Sequence, residues 1–163
     1  MATVLTEEFE LEEDTQSGKF LLFTLGKEGY GIEIKFVTEI IGIQEITEVP
    51  ELPEYIKGVI NLRGKIIPVM DVRLRFRKPA REYDDRTCIV VVDINEIPIG
   101  LVVDRVSEVT SIGEELISPP PNLDRGFQRY IKGVGRVDTA VILLLECNQL
   151  LEDDELQEIG RIQ

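Results

Sequence analysis

The pentapeptide YIKGV occurs twice in this chain, at Tyr55–Val59 and again at Tyr130–Val134. A chain that repeats itself is constrained, because the fold that suits one copy must suit the other. At the same offset of 75 residues, Ile66–Asp71 (IIPVMD) meets Val141–Glu146 (VILLLE). Upstream, at an offset of 69, Ile34–Ile40 (IKFVTEI) meets Val103–Val109 (VDRVSEV), Phe20–Phe23 (FLLF) meets Ile89–Val92 (IVVV), and Gly31 meets Gly100. The offset grows by six, so the second copy holds six extra residues. They fall between Pro119-Pro120-Pro121 and Phe127, where Pro and Gly mark a loop. Two units follow, 19–80 and 87–151, joined by the polar segment Lys78–Arg86 (KPAREYDDR).

Within each unit the apolar pattern is that of short strands. Phe20–Leu25 and Tyr30–Ile34 flank a turn at 26–29, and Cys88–Ile94 and Ile97–Val103 flank Asn95-Glu96. Both read as hairpins. Ile56–Asn61 and Lys65–Val72 flank Arg63-Gly64 as a third hairpin, and Ile142–Glu146 matches its second strand in the other copy. Over Lys35–Ile41, Val37, Ile40 and Ile41 fall at spacings of three and four, which predicts a short helical turn. Asn148–Ile159 reads as a short amphipathic helix. The expected fold is mainly all-β: two pseudo-symmetric five-stranded β-barrel-like subdomains packed together, with short helical segments and a C-terminal helix. So small a barrel buries little of its surface alone, so the two are expected to form one cooperative body with a groove between them.

Charge sits at the ends. Of the formal net charge of −13, residues 1–18 hold −6 and residues 152–163 hold −4, leaving a nearly balanced body over 19–151. The first segment reads as a disordered acidic tail, and 152–163 as an acidic helix or tail. The longest strictly apolar run, Ala140–Leu145, has six residues where a membrane span needs about 20, and Met1–Asp14 lacks a signal-peptide pattern. A cytoplasmic protein without membrane insertion is expected. With no histidine, a histidine base and a histidine-ligated metal are excluded. Phosphate-cradling glycine motifs and a nucleophile elbow are missing, so no enzyme, cofactor or metal is expected. Cys88 and Cys147 are too far apart for a CxxC pair and read as small buried hydrophobes.

Three features bear on binding. Arg73, Arg75 and Arg77 alternate with Leu74 and Phe76 up to Lys78, which places the guanidinium groups on one face of a strand. That face is either a phosphate or acidic-partner patch, or an outward face balanced by nearby acids and protecting a sheet edge. Arg63 stands at a turn, where the second copy has Asp138. A residue kept only for the fold would match in both copies, so Arg63 reads as a recognition residue, with a turn-stabilising role as the alternative. Val37 and Ile40 either pack in the core or form an apolar docking strip with Glu39 at its rim.

YGIEI at Tyr30–Ile34, VTEI at Val37–Ile40, YIKGVINLRGKIIPVMDVR at Tyr55–Arg73 and GLVVDRVSEV at Gly100–Val109 together resemble the CheW family of chemotaxis coupling proteins. The resemblance runs in order from about Lys19 to Leu151, as a single CheW-like domain. Related modules in the chemotaxis histidine kinase CheA and in CheV share the motif string. The resemblance implies two five-stranded β-subdomains and no catalysis. It also implies an adaptor that bridges the cytoplasmic tips of chemoreceptors to CheA, recruited to membrane-associated receptor arrays. Carried over by motif, Val37, Glu39, Ile40, Lys57 and Arg63 are the expected receptor and array contacts. Val103, Val106 and Val109 are the expected kinase or groove contacts. The rival reading is a small-barrel nucleic-acid binder using Arg73–Lys78.

Overall fold

A computed structural model describes residues 18–120 and 125–151. The sequence-predicted acidic tail, apart from Gly18, and the C-terminal helix and tail beyond Leu151 lie outside the described residues. So do positions 121–124 of the expected six-residue insertion. In chain order the strands are β1 (Lys19–Leu25), β2 (Glu28–Glu33), β3 (Val37–Gly42), β4 (Ile56–Leu62), β5 (Lys65–Asp71), β6 (Cys88–Ile94), β7 (Ile97–Val103), β8 (Arg105–Ser111), β9 (Ile117–Ser118), β10 (Ile131–Val137) and β11 (Ala140–Leu145). The hairpin turns form where the sequence allows left-handed backbone. Asn95 and Glu96 have φ of 51° and 68°, as a two-residue turn matched to strand twist requires.

The strands assemble into a six-stranded sheet, ordered β8-β1-β2-β11-β10-β9, and a five-stranded sheet, ordered β3-β6-β7-β5-β4. Each sheet draws on both repeat units. The β1–β2 hairpin of the first unit joins β8–β11 of the second, and the β6–β7 hairpin of the second joins β3–β5 of the first. The exchange is reciprocal. Val69 pairs with Gly100 in the parallel β5–β7 ladder, and their counterparts Leu144 and Gly31 pair in the parallel β11–β2 ladder. Val37 opposite Val92 likewise matches Val106 opposite Phe23. The contiguous division into 19–80 and 87–151 therefore does not coincide with the two sheets.

The reason lies in the hairpin strands, which are apolar on both faces. Successive strand residues point to opposite sides. Phe20 and Leu22 of β1 enter a small core with Ile112, Ile142 and Leu144, while Leu21, Phe23 and Leu25 enter a larger central core. In β6, Ile89 and Val91 enter the small core of the five-stranded sheet, and Val90, Val92 and Ile94 enter the same central one. The exchanged hairpins are thus the walls between the central core and the two outer cores. Each such side chain, fully buried, contributes roughly 1.5–3 kcal/mol. No unit keeps its core if the other unfolds.

The repeated IKGV string is a bulge. Pairing shifts between Ile56 and Gly58 on β4 and between Ile131 and Gly133 on β10, leaving Lys57 and Lys132 as the extra residues. The glycine after each bulge lets a further segment approach. A Cβ at Gly58, whose φ is 145°, would stand 2.0 Å from the Thr47 carbonyl oxygen. At Gly133 it would stand 3.0 Å from that of Ser118.

Two local expectations need correction. Only Ile34–Phe36 forms a tight 3₁₀ turn, and Val37–Gly42 is strand β3 rather than the rest of a helical turn. The cause is a bulge at Thr38, with Val37 opposite Val92 and Glu39 opposite Val91. One extra residue in a strand turns a spacing of two into three, which imitates a helix. The Thr38 hydroxyl donates to the Val91 carbonyl at 3.1 Å. The basic run is not a strand either. Val72–Arg75 forms one helical turn, capped by the Asp71 carboxylate accepting from the Leu74 N–H at 3.2 Å.

Candidate functional site

The β4–β5 turn holds Arg63 in an unusual backbone state. Leu62 pairs with Lys65, and Arg63 and Gly64 both lie in the left-handed region, at φ of 53° and 86°. The Asn61 side-chain oxygen accepts from the Gly64 N–H at 2.9 Å and locks the turn. Left-handed backbone costs a residue with a Cβ about 1–2 kcal/mol, where Gly or Asn is cheaper. The backbone alone therefore does not explain arginine at this tip.

Its side chain reaches across the barrel. Arg63 Nη1 donates to Glu39 Oε2 at 2.6 Å. Glu39 lies on β3 and Arg63 at the end of β4, the opposite edges of the five-stranded sheet. The contact therefore ties the two edges of a curled sheet together. Segment 43–49 closes the same gap, with Thr47 bridging Val59 and Ile43, Ile46 and Leu62 packed on the small core. The Glu39 side chain is 15% exposed and the Arg63 side chain 70%. Glu39 Oε1 is buried and lacks a hydrogen-bond partner. The hydrogen bond to Glu39, then its charge, raises the Arg63 guanidinium above its usual value. The rim thus presents a fixed cation, oriented by a carboxylate from below.

The structure sorts the other expected contacts. Ile40 is half-buried beside Glu39 and packs on the central core. Lys57 is half-buried at the β4 bulge. Val37, at 3% exposure, and Val103, at 1%, are core residues with almost no surface to offer. Val106 is half-buried against the central core, and Val109 is 38% exposed on the edge strand β8. Val109 is the repeat counterpart of Ile40, as Glu108 is of Glu39 and Asp138 of Arg63.

Arg73, Arg75 and Lys78 of the basic run are taken by internal partners, and Arg77 is exposed. Arg73 grips Asp104 with two hydrogen bonds, of 2.7 and 2.5 Å. Asp104 also accepts from the Gly26 N–H at 2.7 Å and from Arg81 at 3.0 Å. Burial alone would raise the Asp104 carboxyl. The Arg73 hydrogen bonds, the Gly26 N–H and the charges of Arg73 and Arg81 outweigh it and hold the group below the usual carboxylate range. Arg75 is buried, donates to the Leu150 carbonyl at 2.7 Å, and lies 4.2 and 5.1 Å from the Tyr55 and Tyr130 ring centroids. Lys78 pairs with Glu28. The nucleic-acid reading loses the strand face on which it rested. Sequence reasoning missed the Asp104 hub, because Gly26, Arg73 and Asp104 meet only through the exchange of hairpins.

The segment between the units is pinned by its own side chains. Tyr83 donates to Asp71 Oδ2 at 2.6 Å, and Asp84 Oδ1 accepts from the Arg86 N–H at 2.8 Å. Burial, with the Asp71 contact, raises the Tyr83 hydroxyl well above its ordinary value. Cys147 is buried, and burial with the nearby Glu146, Glu33 and Asp93 pushes its thiol up to about 12. Cys88, expected to be buried, is only partly so. Among the described residues no cluster of three or more Cys, Asp or Glu is placed to hold a metal, and no helix is long and apolar enough to cross a membrane.

Known proteins resemble this chain along most of its length. The model of the CheW-like domain matches residues 19–155. The chain is 36% identical to the chemotaxis protein CheW of Klebsiella aerogenes, over 91% of this chain and 90% of that protein. It is 32% identical to the chemotaxis protein CheW of Treponema pallidum, over 88% of each chain. Among solved structures, the scaffolding protein TtCheW of Thermoanaerobacter tengcongensis superposes with a TM-score of 0.79 at 38% identity, covering 85% of this chain and 94% of that one.

Proposed function

This chain belongs to the family of CheW-like domains, and on that premise we propose that it is a non-enzymatic adaptor of chemotaxis signalling. It couples transmembrane chemoreceptors to the histidine kinase CheA and acts from the cytoplasm, at receptor arrays. One observation carries the reading: a domain matched along nearly its whole described length fixes an exposed arginine at a rigid rim, on a backbone that does not itself require arginine.

The contact residues are Arg63 and Glu39, with Ile40 and Lys57 beside them on the same barrel, and Val109 on the edge of the other. An arginine already oriented by a carboxylate loses little freedom on binding, and its exposed N–H groups suit carboxylates or carbonyls of a partner. Half-buried Ile40, on the opposite face of β3, supplies apolar contact without a loose side chain. Binding alone transmits the signal: an adaptor that prefers one array state over another shifts the balance between them.

Co-sedimentation with receptor cytoplasmic fragments, with and without CheA, tests this. The intact chain is expected in the pellet. Arg63→Glu is expected to weaken recruitment while leaving the melting curve nearly unchanged, since a pair this exposed contributes little to folding. Loss of the folded state instead would assign Arg63 to structure.

A further inference from the structure

A second surface is unused by the adaptor reading. Thr24, Gly26, Arg81, Arg86, Asp104 and Arg105 line a polar concavity of about 190 Å³. It lies where the β1–β2 turn, the segment joining the units and the start of β8 meet. We propose that this concavity binds a tetrahedral oxyanion of two charges, either inorganic phosphate or the phosphate of a small monoester.

Three arginines reach it from two separate segments, and all three are exposed. Arg81 is held in place by Asp104 at 3.0 Å, with Asp84 at 3.7 Å. Among the described residues Arg86 and Arg105 have no ion-pair partner. Their backbones are nonetheless fixed. Arg86 donates its N–H to Asp84 Oδ1, and Arg105 pairs with Thr24 across β8 and β1. The one carboxylate in the wall does not spoil the site for an anion. Arg73 grips Asp104 from behind, and the Gly26 N–H caps it. Among the lining residues, Arg81, Arg86 and Arg105 against Asp104 leave a local charge of +2, in a chain whose net charge is −13. That surplus matches a dianion.

Guanidinium forks suit phosphate because two parallel N–H donors meet two oxygens. The volume is that of about six waters, at about 30 Å³ each. It fits a phosphate with a short organic tail.

The test is an NMR titration of the intact chain with inorganic phosphate and, separately, with glycerol 3-phosphate, against chloride at matched ionic strength. Saturable amide shifts at Thr24, Gly26, Arg86 and Arg105 are expected with both phosphates and not with chloride. A tighter site for the monoester identifies that as the natural form, and equal affinity identifies the free anion. Arg86→Ala with Arg105→Ala should weaken binding at least about tenfold, which is 1.4 kcal/mol, with an unchanged melting curve. Arg63→Ala on the far rim should bind as the parent does. Shifts that do not saturate, that chloride reproduces, or that survive the double substitution overturn the proposal. If the double variant unfolds, Arg105→Gln alone must still show the loss, and its failure to do so counts equally against the site.

Discussion

At the tip of β4–β5 stands Arg63, with φ of 53°; at the same point of β10–β11 stands Asp138, with φ of 56°. The two turns share a backbone and differ in charge. Below the first lies Glu39, which pairs with Arg63, and below the second the repeat places Glu108. One barrel thus closes its rim with an ion pair, and the other has acids at both matching positions. The fold demands the left-handed turn in both barrels and is indifferent to the side chain it carries. What has diverged on so constant a backbone is available for different partners. The parallel ladders have kept their pattern in both copies because they join the exchanged hairpins, and the bulge glycines because they admit Thr47 and Ser118.

The largest effect expected concerns the constant part. Gly58→Ala forces a Cβ to 2.0 Å from the Thr47 carbonyl oxygen in a glycine-only conformation, and should cost about 3 kcal/mol or more. Gly133→Ala meets Ser118 at 3.0 Å without the left-handed φ and should cost about 1 kcal/mol. Urea melts measure both, and each variant should unfold in one transition. Two separate transitions would break the picture of interleaved halves.

A middle-sized effect separates Asp104 from its counterpart Lys35. Lys35 makes an exposed 3.4 Å pair with Glu33, whereas Asp104 collects Arg73, Arg81 and the Gly26 N–H. Asp104→Asn should cost about 2 kcal/mol at pH 7 and Lys35→Ala under about 0.5. Because folding lowers the Asp104 pKa, its contribution is complete above the unfolded value of about 3.9 and fades as the pH falls through the folded one. Stability measured from pH 5 downward should therefore fall less steeply in the asparagine variant. Parallel curves would remove Asp104 from the acid response.

The smallest effect is the most pointed. Asp138→Arg should rebuild against Glu108 the pair that Arg63 makes with Glu39, stabilising the fold by up to about 1 kcal/mol. Thermal melting detects it, and a clear loss would show that the rims are not equivalent.

Much of this is legible in the sequence. The β6 and β7 hairpin fell where the apolar runs and Asn95-Glu96 placed it, because a two-residue turn leaves no freedom in register. The bulge at Thr38 was not legible, since its extra residue gives Val37, Ile40 and Ile41 helical spacing. Nor was the exchange of hairpins: the repeat reads identically whether β1–β2 joins its own unit or the other. Glu39 and Arg63 each stand out in the sequence, but their union depends on a sheet curling until its edges meet, a long-range event with no local signature. The alternating arginines of the basic run misled because Asp71 starts a helical turn there, and burial of Arg75 then depends on Tyr55, Tyr130 and Leu150.

We propose that the divergent rim, and not the shared fold, carries the adaptor function. Co-sedimentation of the parent chain, Arg63→Glu and Asp138→Arg with receptor fragments and CheA tests it most directly. Arg63→Glu should lose recruitment by about tenfold or more, the scale of a 1.4 kcal/mol contact, while Asp138→Arg stays near the parent and both remain folded. Equal recruitment of all three, or equal loss in both variants, would contradict the account.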